Sequence, residues 1–329
     1  MKYVVKKNEN GQDITVRMLQ LNLLTMMKEI DRICKKNNID YFLAGGSCLG
    51  AIRHAGFIPW DDDMDIAMSR EEYQKFIKAL EKDLDDKYIF QCYEKNKKYP
   101  VYWPAMKIRI KNTYIRETNK FLPNPCEDSD GIFIDVFIYD HMSNKRILDF
   151  PLRFINVLLM IILVFFENLG INLIPLKEWY RFNARLYGRL CKKSLYFADD
   201  ITWTFNPFNP FKYEYSDIYP TRLQKFEDIV LPIPGKPHEY LRKNYGSEYM
   251  TLPPKEKRCA KHVLDINLDS APSDSRSLYI KKKRYQWKLR LGFILNILAF
   301  ILMNDISFVL CGLGIVCIGI SIFQYINED

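Results

Sequence analysis

Residues 45–66 read GGSCLGAIRHAGFIPWDDDMDI, with two glycines and a serine at one end and four aspartates within five positions at the other. Carboxylates this close repel one another unless the fold places cations beside them. The end of this stretch, continued as DMDIAM over residues 63–68, alternates with the period of two that is typical of a β-strand. The alternation predicts that Asp63 and Asp65 point to the same face of that strand.

The segments on either side predict helices and a further strand. Residues 18–38 space their apolar side chains along one face of an amphipathic helix, and residues 39–46 predict a short strand that runs into the glycines. We expect Ser47 to cap the helix that follows. Ser69, with Glu72 three residues later, has the capping-box signature of another helix. The sequence therefore indicates an α/β fold.

Two later segments predict strands that carry charged side chains. Residues 103–112 place Lys107 and Arg109 on one face, and residues 131–140 are apolar except for Asp135 in the middle and an aspartate at the end. A carboxylate inside an apolar strand is costly to bury unless another group pairs with it. Asp135 is therefore a candidate for a site shared with other charged groups.

One interpretation of the aspartates is a calcium-binding loop. Asp61, Asp63, Asp65 and Glu72 fall at positions 1, 3, 5 and 12 of an EF-hand register. The register fails at position 6, where the loop needs glycine for its sharp turn and this chain has Ile66. The alternation also favours a strand over a loop, so the pattern argues against a calcium sensor.

A solvated acidic turn would account for Asp61 and Asp62 alone, but not for two aspartates on one strand face and a third on a later strand. Asp63, Asp65 and Asp135 are the predicted catalytic and metal-binding residues. They can hold one or two Mg²⁺ ions, or Mn²⁺, which would neutralise and position a polyphosphate. The glycine turn and the helix after it would then supply backbone N–H groups to the phosphates.

The order of these groups resembles the nucleotidyltransferase superfamily, with a Gly-Ser pair, then Asp-x-Asp on a strand, then a lone aspartate on another strand. The matching groups are Gly46-Ser47, Asp63-Met64-Asp65 and Asp135. More narrowly, residues 45–68 resemble the signature of the LicD family, the phosphocholine transferases that decorate bacterial surface glycans. That family is similar to the fukutin group of phosphoribitol transferases. The likeness covers roughly residues 19–140 and resumes weakly at 245–258.

The resemblance implies a nucleotidyltransferase-like mixed sheet flanked by helices. It also implies a CDP-linked alcohol as donor and a hydroxyl of a cell-surface glycan, or of its lipid-linked precursor, as acceptor, with CMP leaving. Phosphocholine is the first candidate for the transferred group, although nothing in the residues distinguishes choline from ribitol or glycerol. Two other functions stay open: a nucleotidyltransferase that uses an NTP and releases pyrophosphate, and a non-enzymatic, membrane-bound scaffold.

By the same resemblance, Asp63 and Asp65 match the metal pair, and Asp135 is either a further metal ligand or the base on the acceptor hydroxyl. Six residues are predicted to bind the donor, three of them through the diphosphate, where a guanidinium can bind two oxygens at once. These are Arg53, Lys107 and Arg109 for the diphosphate, and Gly45, Gly46 and Ser47 for the phosphate turn. Lys107 could equally be an exposed strand residue.

Two aromatic residues and two histidines are left without an assigned role in the reaction. Phe57 and Trp60 could belong to the core or form a platform for the substrate. His54 and His262 are expected to be surface or structural histidines.

Composition sets the outer bounds. The 329 residues are 48% hydrophobic, enough for a buried core, and the eight cysteines include no CxxC pair, which argues against a zinc knuckle or a disulfide framework. The amino terminus lacks the continuous apolar segment of a secretory signal, so we expect no export by that route.

The carboxy-terminal part predicts membrane association. Residues 276–290 carry seven positive charges and no acid, and the apolar segments 291–303 and 306–323 that follow argue against a nucleic-acid partner. We expect these segments to form a helical membrane hairpin, with the catalytic domain on the cytoplasmic side by the positive-inside rule. The alternative is a buried helical hairpin in a soluble protein. The apolar run 154–166 is short for a span and predicts a core or interfacial helix.

Four regions are predicted on these grounds. Residues 1–145 would form the nucleotidyltransferase-like catalytic core and residues 146–215 a variable helical segment. Residues 216–275 would return to the catalytic domain, and residues 276–329 would form the basic flank and the hairpin.

Overall fold

The computed structural model describes residues 3–7, 11–117, 126, 130–203 and 211–268, together with positions 288, 290–292 and 318. The chain forms two compact units. The first comprises Met1–Met160 and Ile174–Ala271, and the second comprises Ile161–Leu173 and Pro272–Asp329. Every residue predicted to act in the site lies in the first unit.

The described residues form thirteen strands and seven α-helices. The strands are β1 Val4–Lys7, β2 Asp13–Thr15, β3 Phe42–Leu43, β4 Asp65–Ser69, β5 Tyr88–Cys92, β6 Met106–Ile110, β7 Tyr114–Glu117, β8 Phe133–Met142, β9 Tyr196–Asp199, β10 Tyr213–Glu214, β11 Arg222–Phe226, β12 Ile229–Ile233 and β13 Val263–Asn267. The helices are α1 Val16–Lys36, α2 Gly45–His54, α3 Arg70–Asp83, α4 Arg146–Asn168, α5 Ile174–Leu190, α6 Tyr215–Ile218 and α7 Pro237–Tyr245.

β8 is the central strand of a seven-stranded mixed sheet. β4 pairs in parallel with one edge of β8, and β3 lies antiparallel beyond β4. The other edge of β8 is shared, because β6 pairs with its first half and β9 with its second half, both antiparallel. β5 extends the sheet beyond β6, and β10 extends it beyond β9. This architecture confirms the predicted α/β class with a mixed sheet flanked by helices.

The helices around the sheet begin where the sequence provides caps. The Thr15 hydroxyl accepts a hydrogen bond from the Met18 N–H at 3.4 Å and starts α1, and the Ser69 hydroxyl accepts one from the Glu72 N–H at 3.2 Å and starts α3. The helix predicted from Ser69 and Glu72 is therefore confirmed. The Glu72 carboxylate itself accepts from the Asp40 N–H at 3.1 Å, so it ties α3 to the chain before β3.

Two local predictions near the aspartates differ from the structure. β4 begins at Asp65 and not at Asp63. The prediction that Ser47 caps a helix is wrong, because α2 begins at Gly45 after Ala44 and Ser47 lies inside its first turn. The Ser47 hydroxyl instead accepts a hydrogen bond from the Asp65 N–H at 2.9 Å, so it fixes the helix to the start of β4.

The apolar run 154–166 lies within α4, which is longer than the run because the helix starts at Arg146. Among the described residues, α4 is the one helix long and apolar enough to cross a bilayer by length and composition, a test that core helices of soluble proteins also satisfy. In the second unit, the end of α4 exposes Ile161 and Phe165 and buries Leu163. The predicted hairpin segments lie outside the described residues except for positions 291, 292 and 318.

Candidate active site

Three charged residues form a row across neighbouring strands of the mixed sheet. Asp65 in β4 lies directly opposite Asp135 in β8, and Asp135 lies directly opposite Lys107 in β6. Residues paired in this way have Cβ atoms about 5 Å apart and project from the same face of the sheet. The register therefore brings together two carboxylates and one ammonium group that are far apart in the sequence.

The first turn of α2 lies against the same carboxylates, and its glycines allow the close approach. A Cβ atom at Gly46 would lie 2.9 Å from Oδ2 of Asp61, and one at Gly45 would lie 3.4 Å from Oδ2 of Asp65. Gly45 also has a φ of +50°, a conformation that side chains other than glycine rarely adopt. The N-terminus of α2, where backbone N–H groups have no partner within the helix, therefore faces Asp61 and Asp65.

Lys107 is 2% exposed and pairs with two carboxylates. Its Nζ lies 2.9 Å from Oδ1 of Asp135 and donates hydrogen bonds to Oδ2 of Asp135 and to Glu117, each at 3.2 Å. The ammonium group also lies 3.5 Å from the centre of the Phe133 ring. Lys107 is therefore a buried partner of Asp135 and not an exposed strand residue.

The cluster holds more carboxylates than nearby cations can neutralise. Burial, followed by the negative charges of Asp63 and Asp62, raises the pKa of Asp61 well above its ordinary value. Burial, followed by Asp63 and Asp135, raises the pKa of Asp65 in the same direction. The pKa of Asp63 is also raised by burial. An added cation would relieve the repulsion that these shifts report.

The pKa values of the two carboxylates that Lys107 contacts are shifted in opposite directions. Burial raises the pKa of Asp135 to about 6, although Lys107 acts against the shift. At Glu117, the positive charges of Lys107 and Arg109 outweigh burial and hold the pKa below its usual range. Glu117 therefore shares Lys107 with Asp135, which leaves Asp135 only partly neutralised.

Asp62 fixes a distant segment of the chain to the site. This carboxylate is 3% exposed and accepts backbone N–H hydrogen bonds from Lys261 at 3.2 Å, His262 at 2.9 Å and Val263 at 2.8 Å. The solvated acidic turn is thus wrong for Asp62, because its charge is satisfied by the backbone before β13. As a result, Nε2 of His262 lies 3.4 Å from Oδ2 of Asp63.

The two arginines predicted to bind the donor make their contacts within the protein. Arg109 is buried, and its guanidinium donates to Gln91 and to the Gly131 carbonyl, each at 2.8 Å. Arg53 is half-buried and donates to the Tyr249 carbonyl at 2.9 Å, and burial lowers its pKa. Arg53 also acts electrostatically on Asp61, which places it beside the acidic cluster.

The donor set fits a divalent cation. Oδ1 of Asp135 is buried and receives no hydrogen bond, although Lys107 is within ion-pair distance. Asp62, Asp63 and His262 each offer one ligand atom within 4.8 Å of the others. Oxygen ligands of this kind suit Mg²⁺, and a histidine beside them is also compatible with Mn²⁺. Which of these aspartates would bind the ion stays a prediction.

Most of the predicted site residues lie close together, and residues that were not predicted lie beside them. The three aspartates, Lys107 and the glycine turn lie together, Arg53 lies at the edge, and Arg109 is enclosed. Phe57 and Trp60 are buried in the core, so no platform is formed by them. The sequence did not indicate Asp62, Glu117, His262 or Tyr245, whose hydroxyl would lie 3.7 Å from a Cβ atom at Gly45. Only the return of the family likeness at 245–258, which includes Tyr245, pointed towards one of them.

Comparisons with known proteins identify a family and relatives of this chain. Residues 38–161 match the family model of the LicD/FKTN/FKRP nucleotidyltransferase domain, a range that contains every predicted site residue. A lipopolysaccharide cholinephosphotransferase, LicD, of Haemophilus influenzae is 27% identical over 281 residues, which cover 76% of this chain and 97% of that protein. An uncharacterized protein of Rickettsia typhi is 43% identical over 60 residues, which cover 18% of this chain and 19% of that protein.

Proposed function

Because the chain belongs to the LicD family, we propose that it transfers a phospho-alcohol from a CDP-linked donor to a hydroxyl of a cell-surface glycan or its lipid-linked precursor. Phosphocholine is the first candidate for the transferred group. The name of the Haemophilus relative, a lipopolysaccharide cholinephosphotransferase, supports both the reaction class and this candidate.

One observation carries the proposal. Asp65 and Asp135 lie in register on adjacent parallel strands, and Asp65 faces the glycine-containing first turn of α2. Carboxylates alone would repel a diphosphate, and a helix N-terminus alone would bind any anion weakly. The two together form a place where a diphosphate and a divalent cation can be bound at once.

We assign roles to the residues as follows. Asp63, Asp65 and Asp135 would hold Mg²⁺ or Mn²⁺, which would supply charge neutralisation of the diphosphate when bound. The N–H group of Gly46 would bind a phosphate oxygen at the start of α2, whereas that of Gly45 donates to the Tyr240 hydroxyl at 3.0 Å and so shapes the turn. Ser47 holds α2 against β4 through the Asp65 N–H, so its part is to position the turn.

Two roles remain, the positioning of Asp135 and the binding of the diphosphate, and we assign them to Lys107 and Arg53. Lys107 fixes the orientation of Asp135 through contacts with both of its carboxylate oxygens. Arg53 is the candidate for the diphosphate, because its positive charge, like that of Lys261, acts on Asp61 at the edge of the cluster. Arg109 would act only through Glu117, from which its Nη2 lies 3.5 Å.

Asp135 is also a candidate base for the acceptor hydroxyl. A general base works best when its pKa lies near the working pH, and burial places the pKa of Asp135 at about 6. Its buried Oδ1 receives no hydrogen bond, and the cation beside it is the Lys107 ammonium group at 2.9 Å. The proposal keeps both roles, ligand and base, for this residue.

We also propose that the enzyme works at the inner face of a membrane. The support is the basic run 276–290 followed by two apolar segments, which predicts a cytoplasmic flank by the positive-inside rule.

The test is a panel of CDP-linked alcohols with Mg²⁺ and a membrane glycolipid fraction, scored by CMP release. We expect CMP from at least one donor, CDP-choline first, and a loss of about three powers of ten with Asp63→Asn. Asp86→Asn, an exposed aspartate in the turn after α3, is the matched control and should keep full turnover. Pyrophosphate from an NTP in place of CMP would show a nucleotidyltransferase, and no turnover with any donor would favour the scaffold.

A further inference from the structure

α4 and α5 have the reverse of the usual polarity of helices on a water-soluble domain. On the part of α4 in the first unit, three of the four buried side chains are polar, with Asp149 4% exposed, Arg153 2% and Asn156 1%, and the fourth is Leu159. Between Ile147 and Leu158, every fully exposed position of α4 is apolar. A surface helix in water normally buries its apolar side chains and exposes its polar ones.

The buried polar groups of α4 bond to one another and to α5. Arg153 donates to Asp149 at 2.9 Å, and Tyr187 of α5 also donates to Asp149. Asn183 of α5 donates to the Asn156 side chain at 3.1 Å. Polar side chains of helices in an apolar medium show the same arrangement, because they turn inward and pair with one another.

The exposed apolar side chains of these two helices, which contact each other through Asn156 and Asn183, are together called the α4–α5 face. Its members, all in the first unit, are Ile147, Phe154 and Leu158 of α4 and Trp179, Phe182 and Leu190 of α5. Trp179 is 51% exposed, and a tryptophan at the border of an apolar surface is typical of membrane interfaces. An exposed surface of this kind marks a binding site for a partner or a membrane.

The charges beside the α4–α5 face indicate which partner. Exposed basic residues lie where α4 begins and α5 ends, at Lys145, Arg146, Arg189, Lys192 and Lys193. The acidic residues between 145 and 195 are Asp149, Glu167 and Glu178, and none of them is fully exposed. Two copies that met through this face would bring their basic residues together, whereas an anionic bilayer surface would attract them.

We propose that the α4–α5 face is a membrane-binding surface that inserts into the interfacial region of an anionic bilayer. The helices lie in the plane of the interface, because their polar sides are packed against the protein and only one side of each is apolar and exposed. The inference uses α4 and α5 alone and depends neither on the proposed reaction nor on residues 291–323.

The test follows Trp179 in the full chain bound to vesicles of phosphatidylcholine and phosphatidylglycerol, with either ordinary or brominated acyl chains. Bromine quenches tryptophan only at short range, and Trp179→Phe isolates the contribution of this residue from the other four tryptophans. In ordinary vesicles, Trp179→Phe should lower the emission by the full contribution of Trp179. In brominated vesicles Trp179 is already quenched, so the same substitution should lower the emission by less than half of that amount. Phosphatidylcholine alone should weaken the quenching of Trp179.

Two double variants provide the comparison. Phe154→Gln with Leu158→Gln should reduce the quenching of Trp179 at least about threefold, because the α4 side of the face loses its apolar surface. Leu223→Gln with Val230→Gln alters two exposed apolar residues of the β11–β12 hairpin, of which Leu223 is 68% exposed, and should leave the quenching unchanged. If Trp179→Phe removes the same emission from both kinds of vesicle, a second copy or another segment covers the face and the proposal is wrong.

Discussion

Lys107→Met tests whether Lys107 orients Asp135, as the structure indicates, or binds the donor diphosphate, as the sequence predicts. The change keeps the apolar stem of a 2% exposed side chain and removes the ammonium group from Asp135 and Glu117. Removal of one partner from a buried ion pair costs about 3 to 5 kcal/mol. We take the lower end, about 3 kcal/mol, because the Glu117 side chain is partly open to solvent. At about 2 °C per kcal/mol, the Tm should fall by about 6 °C near neutral pH.

The pH dependence gives a second, independent measure of the same contact. The pKa of Asp135, about 6, is raised above its ordinary value, so its stabilising contribution is present below about pH 4 and is lost as the pH rises through 6. Burial is the largest influence on the pKa of Asp135, and loss of Lys107 removes the main charge that opposes it, so the pKa should rise further. The Tm difference between variant and wild type should therefore widen from pH 5 to pH 8 in a series of thermal melts.

Lys111→Met is the matched control for these melts. Lys111 follows β6 at an exposed position, so its replacement should leave the Tm and its pH dependence unchanged. If Lys107→Met keeps the wild-type Tm at both ends of the pH range, Lys107 does not pair with Asp135. A stable variant with a raised KM for the CDP-linked donor would restore the diphosphate role predicted from the sequence.

Three further predictions concern the same site. Arg53→Ala should raise the KM for the CDP-linked donor about tenfold in initial-rate assays, and an unchanged KM would remove Arg53 from the diphosphate site. Mg²⁺ should raise the Tm more at pH 7.5 than at pH 5.5, because Asp135, with a pKa of about 6, must lose its proton before it can bind the ion. An equal rise at the two pH values would contradict this role of Asp135. Asp62→Ala should cost about 3 kcal/mol in chemical denaturation because three backbone N–H groups lose their acceptor, and Asp62→Asn, which keeps one oxygen, should cost less.

Local patterns were sufficient to predict the sheet and the aspartates. Alternation with period two gave the strand around Asp65, an apolar run gave the strand around Asp135, and the helix that Ser69 begins followed from its cap. The spatial meeting of Asp65, Asp135 and Lys107 depends on strand order and register. Neither can be read from periodicity, because each strand satisfies its own alternation whichever neighbour it has. The resemblance to a known family supplied that part of the prediction.

The contacts that the sequence did not reveal join distant positions. Asp62 and the N–H groups that it binds are about 200 positions apart, and an aspartate among three others gives no sign that its partners are backbone groups. The sequence predicted His262 to be a surface or structural histidine. It is exposed, but the sequence did not indicate that it lies beside Asp63. The polarity of α4 was missed for a different reason: hydropathy shows that a run is apolar, but not which side of the helix faces the protein.

The position of β8 between the acidic cluster and the α4–α5 face bears on the kind of acceptor. Asp135 lies near the start of β8, and the strand continues for seven residues to Met142, shortly before α4 begins. At about 3.3 Å per residue, these seven residues place Asp135 about 23 Å along the strand from Met142. The headgroup region of a bilayer leaflet is only about 5 to 8 Å deep, so a headgroup hydroxyl would reach Asp135 only if β8 ran nearly parallel to the membrane. With the face at the bilayer, the geometry favours a hydroxyl on the sugars of a lipid-linked glycan over one on the lipid itself.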